Sequence, residues 1–123
     1  MAFTEGSELL VFPKVGQRLT HHGDDDRPRH YCICRQPGGA AFDITGASVQ
    51  VKLIDRKARG ATLTAAGTIS DAPAGEFYFG LTAADGAAMR PPSEWSMRTR
   101  LTSSATELTS ANEVVLEHKR LGT

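Results

Sequence analysis

A two-residue alternation of apolar and polar side chains constrains this chain more than any other feature. It is clearest between residues 42 and 79, where Ala47–Ile54 and Glu76–Leu81 place apolar side chains at every second position. Successive side chains of a β-strand point to opposite faces, so this period predicts strands that bury one face and expose the other. Turn-forming sequences rich in Gly, Pro and Asp separate these segments, which favours antiparallel hairpins.

The same pattern recurs along the chain, with turn-forming residues about every ten positions. That spacing predicts an all-β fold, an antiparallel β-sandwich of about seven or eight strands, rather than alternating strands and helices. The one helical signal is Thr82 followed by Asp85, which resembles a capping box and predicts at most one short helical turn. The predicted strands are Leu9–Phe12, Arg29–Arg35, Ala47–Ile54, Ala61–Ser70, Glu76–Leu81, Ser93–Thr102, Glu107–Thr109 and Glu113–Lys119.

Length and charge limit the domain organisation and the partners. The chain has 123 residues, which suits one domain with its own core. We expect residues 1–15 to form an N-terminal arm that could dock on a neighbour, and residues 16–123 to form the sandwich. The 14 basic and 14 acidic residues give a formal net charge of zero, so we expect no nucleic-acid partner. Apolar runs are too short to span a bilayer and no secretory signal is visible, which predicts cytoplasmic synthesis and no membrane partner.

Four short motifs follow one another in a fixed order. They are Ile44–Val49, Gly67–Gly75 running into Glu76–Phe79, Leu81–Asp85, and Glu94–Arg98 after a double proline. This succession resembles the immunoglobulin-like N-terminal module of the phage baseplate upper protein, and similar modules of head- and tail-associated phage proteins. The resemblance covers about residues 23–118. It departs from the family where Ser93, Glu94 and Trp95 replace a Gly-Thr-Tyr entry to the late strand.

The resemblance implies an immunoglobulin-like sandwich and a structural role in a tailed-phage virion assembled in the host cytoplasm. The partners would be other virion structural proteins, together with further copies of the chain in a homo-oligomer. The candidate interface residues are Leu9, Leu10, Val11, Phe12, Arg98 and Arg100. The first four form an apolar strand that could add to a neighbour's sheet edge. The two arginines share one strand face and fit either a solvated surface or a subunit contact.

A second hypothesis is a carbohydrate- or surface-binding module of a receptor-binding protein. Such a module presents exposed aromatic side chains, and Trp95 and Tyr31 are the candidates. Trp95 is expected in the core or at a sheet end, with a ligand platform as the alternative. An exposed aromatic patch near either residue would favour this hypothesis.

A third hypothesis is a metal-dependent enzyme. Its ligands would be His21, His22, His30, Cys32 and Cys34. Zinc knuckles usually separate their cysteines by about two to four residues, whereas only Ile33 separates Cys32 and Cys34. On a strand both sulfurs share one face with His30, which favours two small buried hydrophobic side chains. No nucleophile elbow or phosphate-binding loop is present, so we predict no enzyme, no catalytic residue, no metal and no cofactor.

The segment His21–Pro28 is polar, charged and punctuated by glycine and proline. We therefore predict a loop that contains both His21 and His22. Its aspartate run, Asp24–Asp26, could attract calcium or magnesium. A calcium loop spaces its carboxylates at alternate positions and adds a distal glutamate, and this run has neither. The run predicts a solvated loop, with contact to a basic neighbouring subunit as the alternative.

Overall fold

The structure is a computed structural model that describes residues 7–57, 62–104 and 106–120, and these residues form an all-β protein with one short helix. The strands are β1 (Leu10–Pro13), β2 (Leu19–His22), β3 (Arg29–Arg35), β4 (Ser48–Asp55), β5 (Thr62–Asp71), β6 (Glu76–Gly80), β7 (Ser93–Ser103), β8 (Thr106–Thr109) and β9 (Val114–Lys119), and the helix is α1 (Ala83–Ala88). The all-β prediction is confirmed, with nine strands in the described residues instead of seven or eight.

The strands form one hydrogen-bonded path that nearly closes into a barrel. Its order is β1-β3-β6-β5-β4-β7-β9-β2, and β8 pairs with β7 beside this path. β5 divides this path into two halves, with β1, β3 and β6 on one side and β4, β7, β9 and β2 on the other. It belongs to both halves, because its first part, up to Gly67, pairs with β4 and its second part, from Thr68, pairs with β6. Neither half can therefore separate without losing β5.

β1, at one end of this path, meets the segment that precedes β9 along a seam. The Ala111 N–H donates to Leu9 O at 2.8 Å. Next to it, the Asn112 side chain accepts from the Val11 N–H at 2.9 Å and donates to Val11 O at 2.7 Å. The amide of one asparagine thus replaces a strand partner on the outer edge of β1.

β2 departs from the predicted loop. His21 and His22 belong to this strand, which pairs in parallel with β9 so that His21 lies beside His118. The prediction of a loop over His21–Pro28 was wrong for these two residues because Leu19 is the only apolar residue of β2. The buried position that alternates with Leu19 is a histidine, so the strand period is hidden in the sequence.

The alternating segments fold as predicted, with their apolar faces in the core. Phe77 and Phe79 of β6 are among the largest fully buried side chains, and each contributes about 2–3 kcal/mol by burial. Trp95 is 4% exposed, and its indole N–H donates to Ser93 Oγ at 2.9 Å. The remaining core residues include Val49, Val51, Leu53, Met97, Leu101, Val114 and Leu116.

The helix begins at the predicted capping box. The Asp85 N–H donates to Thr82 Oγ1, and the Thr82 N–H donates to Asp85 Oδ2, both at 3.1 Å. The six residues of α1 make it slightly longer than a single turn. Its buried Gly86 packs against the backbone of Gly23 and Asp24, where a Cβ would lie 2.9 Å from Asp24 Cα.

Some predictions fall on residues outside the described ranges. These are positions 1–6 of the expected arm, 58–60 of the expected hairpin tip, the first residue of the predicted strand Ala61–Ser70, and positions 105 and 121–123. Within the described ranges, no helix has the length and apolar character needed to cross a membrane.

Candidate functional site

The first four predicted interface residues are built into the barrel at β1. Leu9 and Val11 are each 1% exposed and lie in the core. Leu10 is half-buried, and Phe12 is 42% exposed on the outer face. One edge of β1 pairs with β3, and the other edge is bound by residues 111 and 112. Phe12 is therefore the residue of the four that is best placed to contact a partner in this fold.

The outer face of β3 and β6 carries a pair of tyrosines. Alternation buries Cys32 and Phe77 and turns Tyr31 and Tyr78 outward. Tyr31 and Tyr78 are Cα partners, and their ring centroids are 5.2 Å apart at an interplanar angle of 49°. This distance lies within the range of favourable aromatic pairs. We name Phe12, Tyr31 and Tyr78 the aromatic face.

Two cations lie over these rings. The Arg29 guanidinium is 4.7 Å from the Tyr78 ring centroid, and Lys14 Nζ is 5.9 Å from the Tyr31 centroid. Lys14 also pairs with Glu76 at 2.6 Å, which raises the pKa of the lysine through a hydrogen bond and charge attraction. The Tyr31 side chain stays 39% exposed. The face therefore combines aromatic rings with an arginine, the residue types enriched at protein interfaces.

The two predicted interface arginines lie on a second outward surface. Arg98 and Arg100 project from β7, and their Cα partners on β4 are Lys52 and Gln50. The Arg98 guanidinium donates to Ser110 O at 3.0 Å, whereas Lys52 and Arg100 are exposed. We name Lys52, Arg98 and Arg100 the cation face. The sequence analysis missed Lys52 because its position beside Arg98 depends on strand pairing.

The predicted histidine and cysteine ligands divide between the core and the surface. Cys32 and Cys34 are free thiols that are fully buried, as predicted. Burial raises the pKa of each thiol to about 12, so both stay protonated at neutral pH. His30 and His21 are also buried, and His22 is half-buried.

Three imidazoles lie together at the end of the barrel. His21 Nδ1 and His30 Nε2 form a hydrogen bond of 3.0 Å that links β2 to β3. The ring centroids of His21 and His118 are 5.6 Å apart, and His118 Nε2 donates to Gly23 O at 2.7 Å. His21 Nε2 and His118 Nδ1 are buried without a hydrogen-bond partner among the described residues. Within residues 7–57, 62–104 and 106–120, no three His, Cys, Asp or Glu side chains are arranged to hold a metal ion.

Burial determines the protonation of this cluster. It lowers the pKa of His30 to about 4, with repulsion from His21 as the second cause. Burial likewise lowers the pKa of His21, and His118 adds to the shift while Asp25 opposes it. His30 also packs against Phe79, with 5.2 Å between the ring centroids.

Signals in the sequence locate only part of these surfaces. Tyr31 was a candidate because it alternates with buried cysteines, and Tyr78 could have been found by the same alternation between Phe77 and Phe79. Pairing of the two tyrosines required the β3–β6 register, which is not local information. Trp95, the other aromatic candidate, lies in the core, as the sequence analysis expected.

The fold and its surfaces define a class of protein: an all-β domain that nearly closes into a barrel and presents an aromatic face and a cation face outward. No protein-family model matches the chain, and a search of curated proteins finds no match.

Proposed function

We propose that this chain is a non-enzymatic structural component of a tailed-phage virion, a tail, baseplate or head-associated adaptor or decoration protein. It acts by binding other virion proteins, and it takes its place during assembly in the host cytoplasm. The finer fold that we propose is an immunoglobulin-like sandwich. In it, β1, β3 and β6 form one layer, β4, β7, β9 and β2 form the other, and β5 contributes to both.

The aromatic face is the single observation that carries this proposal. Phe12 and Tyr31 are exposed, and Tyr78 lies directly beside Tyr31 on the neighbouring strand. Aromatic side chains with a nearby arginine bury a large area at little entropic cost, which makes them frequent hot spots of protein interfaces. The ordered motifs that resemble the phage module are the reason for proposing that this surface binds other virion proteins.

The first experiment looks for the chain in purified particles of the phage that encodes it. Quantitative mass spectrometry should find the chain in a fixed ratio to the major particle proteins, and cryo-electron microscopy should place the aromatic face against a neighbour. Absence of the chain from purified particles would refute the proposed function.

A matched pair of variants connects the face to incorporation. Tyr31→Ala with Tyr78→Ala removes both rings from an outward surface, so the domain should stay folded while its incorporation into particles falls by at least about tenfold. Thr62→Ala with Thr64→Ala is the control, because these side chains are exposed on the neighbouring strand β5. Normal incorporation of the tyrosine variant would remove the aromatic face from the proposal.

A carbohydrate-binding module is the second candidate, and the same two tyrosines favour it. An exposed aromatic patch at Tyr31 is the feature that this hypothesis requires. Tyr31→Ala is the suitable variant for testing it, since Trp95 is part of the core and its removal would unfold the domain. Glycan-array binding that Tyr31→Ala abolishes would support this candidate, and no binding to any glycan would exclude it.

A further inference from the structure

The cation face places like charges directly opposite each other. Lys52 and Arg98 are Cα partners on β4 and β7, and Arg100 follows on the same face. Like charges in a directly opposed cross-strand pair repel each other and lower stability. The hydrogen bond from Arg98 to Ser110 O holds one guanidinium in place and leaves its charge uncompensated.

No carboxylate of the described residues forms an ion pair with this face. Glu94 and Glu117 pair with Arg18 at 3.2 and 2.8 Å, at the opposite end of β7. Glu113 accepts from Ser96 Oγ at 2.6 Å. Glu107 is opposite Thr102 on β8, one step beyond the cation face. Within the part of the chain that the structure describes, the charge of this face is thus open to solvent ions or to another molecule.

The loop after β2 presents the complementary charge. Asp24 and Asp26 are exposed, and Asp26 is attracted by the nearby Arg27 guanidinium. Asp25 between them is bound to Arg27 at 2.9 Å, and this bond lowers the pKa of its carboxyl group. We name Asp24 and Asp26 the acidic tip.

The acidic tip is held in a fixed position by its own backbone. The Gly23 N–H donates to Lys119 O at 2.7 Å, and the Asp25 N–H donates to His22 O at 3.1 Å. Gly86 of α1 packs against the backbone of Gly23 and Asp24. The two carboxylates are thus presented by an ordered loop, which reduces the conformational entropy lost when a contact forms.

The two charged surfaces are too far apart to meet within one molecule. The acidic tip begins beside Lys119 at the end of β9, where His118 faces Ser93 of β7. Arg98 and Arg100 lie further along β7, about 16–23 Å away at the rise of a β-strand. A contact between them joins the tip of one copy to the face of another, and such contacts repeated head to tail build rings or filaments.

We propose that the acidic tip of one copy binds the cation face of a second copy, so that the protein associates head to tail. The occupant is this chain because it carries both complementary surfaces and because its zero formal net charge leaves no overall repulsion between copies. The inference rests on the proposed function, since a repeated structural protein is one whose copies meet.

Sedimentation of the full chain at low and high ionic strength tests this contact. The wild-type protein should associate at low ionic strength and dissociate at high ionic strength, because exposed charges are screened. Lys52→Glu with Arg100→Glu should weaken association at least about tenfold, as should Asp24→Lys with Asp26→Lys. A wild-type protein that stays monomeric under all conditions would overturn the inference.

Mixing the two charge-reversed variants gives the decisive result. Each reversed surface then meets its reversed complement, so an equimolar mixture should associate again, and failure of the mixture to associate would refute the contact. Arg35→Glu with Lys57→Glu makes the same change in net charge outside the aromatic face, the cation face and the acidic tip, and should associate like the wild type. Detection of the chain in virions is independent of these measurements, so the proposed function and the self-contact can fail separately.

Discussion

His30 connects a single residue to the acid stability of the whole domain. Its hydrogen bond to His21 requires one bare nitrogen and one protonated nitrogen, so a second proton on the accepting ring removes it. The titratable groups that act on His21 are His118 on β9, Asp25 in the loop after β2 and its neighbour His22, and only Asp25 favours the protonated form of His21. Burial of His30 therefore favours its neutral form.

The lowered pKa of His30 predicts a loss of stability in acid. The pKa is 6.5 for an unperturbed histidine and about 4 in the fold, so the unfolded chain binds the proton first as pH falls. The contribution of His30 to the free energy of unfolding is complete above pH 6.5. It declines as the pH falls from 6.5 towards 4 and is lost below about pH 4. For one proton per molecule, the full contribution of His30 to the free energy of unfolding is about 3 kcal/mol.

Urea unfolding at a series of pH values measures this effect. His30→Phe should reduce the proton uptake on unfolding by about one between these two pKa values. Thr20→Ala is the control, because Thr20 is exposed on β2 and carries no titratable group, and it should keep the acid slope of the wild type. Equal slopes for His30→Phe and the wild type would contradict the prediction.

Gly75 occupies a position that only glycine fits. Its φ is +78°, and an added Cβ would lie 2.5 Å from Phe42 O and 2.7 Å from Cys34 O. Gly46 has a similar φ of +80° but no atom within 4 Å of the added Cβ. Gly46→Ala should lower the free energy of unfolding by about 1–2 kcal/mol through backbone strain alone.

Gly75→Ala should cost about 1–3 kcal/mol more than Gly46→Ala, because the methyl group also collides with two backbone oxygens. Chemical denaturation of the two variants at neutral pH gives the difference directly. Equal losses would show that the Gly75 turn can move away from the added methyl group.

At the scale of elements, Asn112 should determine how firmly β1 is held. Asn112→Ala leaves the Val11 N–H and C=O without their partner, at a cost of about 1–3 kcal/mol. Hydrogen exchange at the Val11 amide should accelerate accordingly. Asn112→Asp keeps the hydrogen-bond acceptor and loses the donor, so its loss of stability should be smaller. Unchanged protection of the Val11 amide in Asn112→Ala would contradict this role of Asn112.

The sequence predicted those elements whose burial follows a local period. β4, β6 and β7 each alternate apolar and polar residues, and each lies where the period places it. β2 escaped prediction because its buried His21 is polar and because its parallel pairing with β9 joins segments that are distant in the chain. The register between strands determines which outward residues become neighbours, such as Lys52 and Arg98. Single surface residues could therefore be predicted from the sequence, but not which of them lie together.

At the scale of the whole molecule, β5 should make the two halves unfold together. Trp95 fluorescence reports on the β4–β7 half, and the near-ultraviolet tyrosine signal of Tyr31 and Tyr78 reports on the β3–β6 half. Because both halves pair with β5, the two signals should give coincident thermal transitions, as expected of a two-state domain. Separate transitions would show that the halves are independent units.

Gly67 is the point at which β5 passes from one half to the other. It is the last residue paired with β4, and an added Cβ would lie 2.6 Å from Val49 Cγ1 and 3.3 Å from Phe77 Cδ2. Gly67→Val should therefore push β5 away from the side chains of Val49 and Phe77 and lower the free energy of unfolding by at least about 2–3 kcal/mol. The neighbouring Ala66→Val is the control, because Ala66 is exposed and the change should stay within about 0.5 kcal/mol. If Gly67→Val and Ala66→Val melt at the same temperature, the close packing at the β5 crossing does not hold the barrel together.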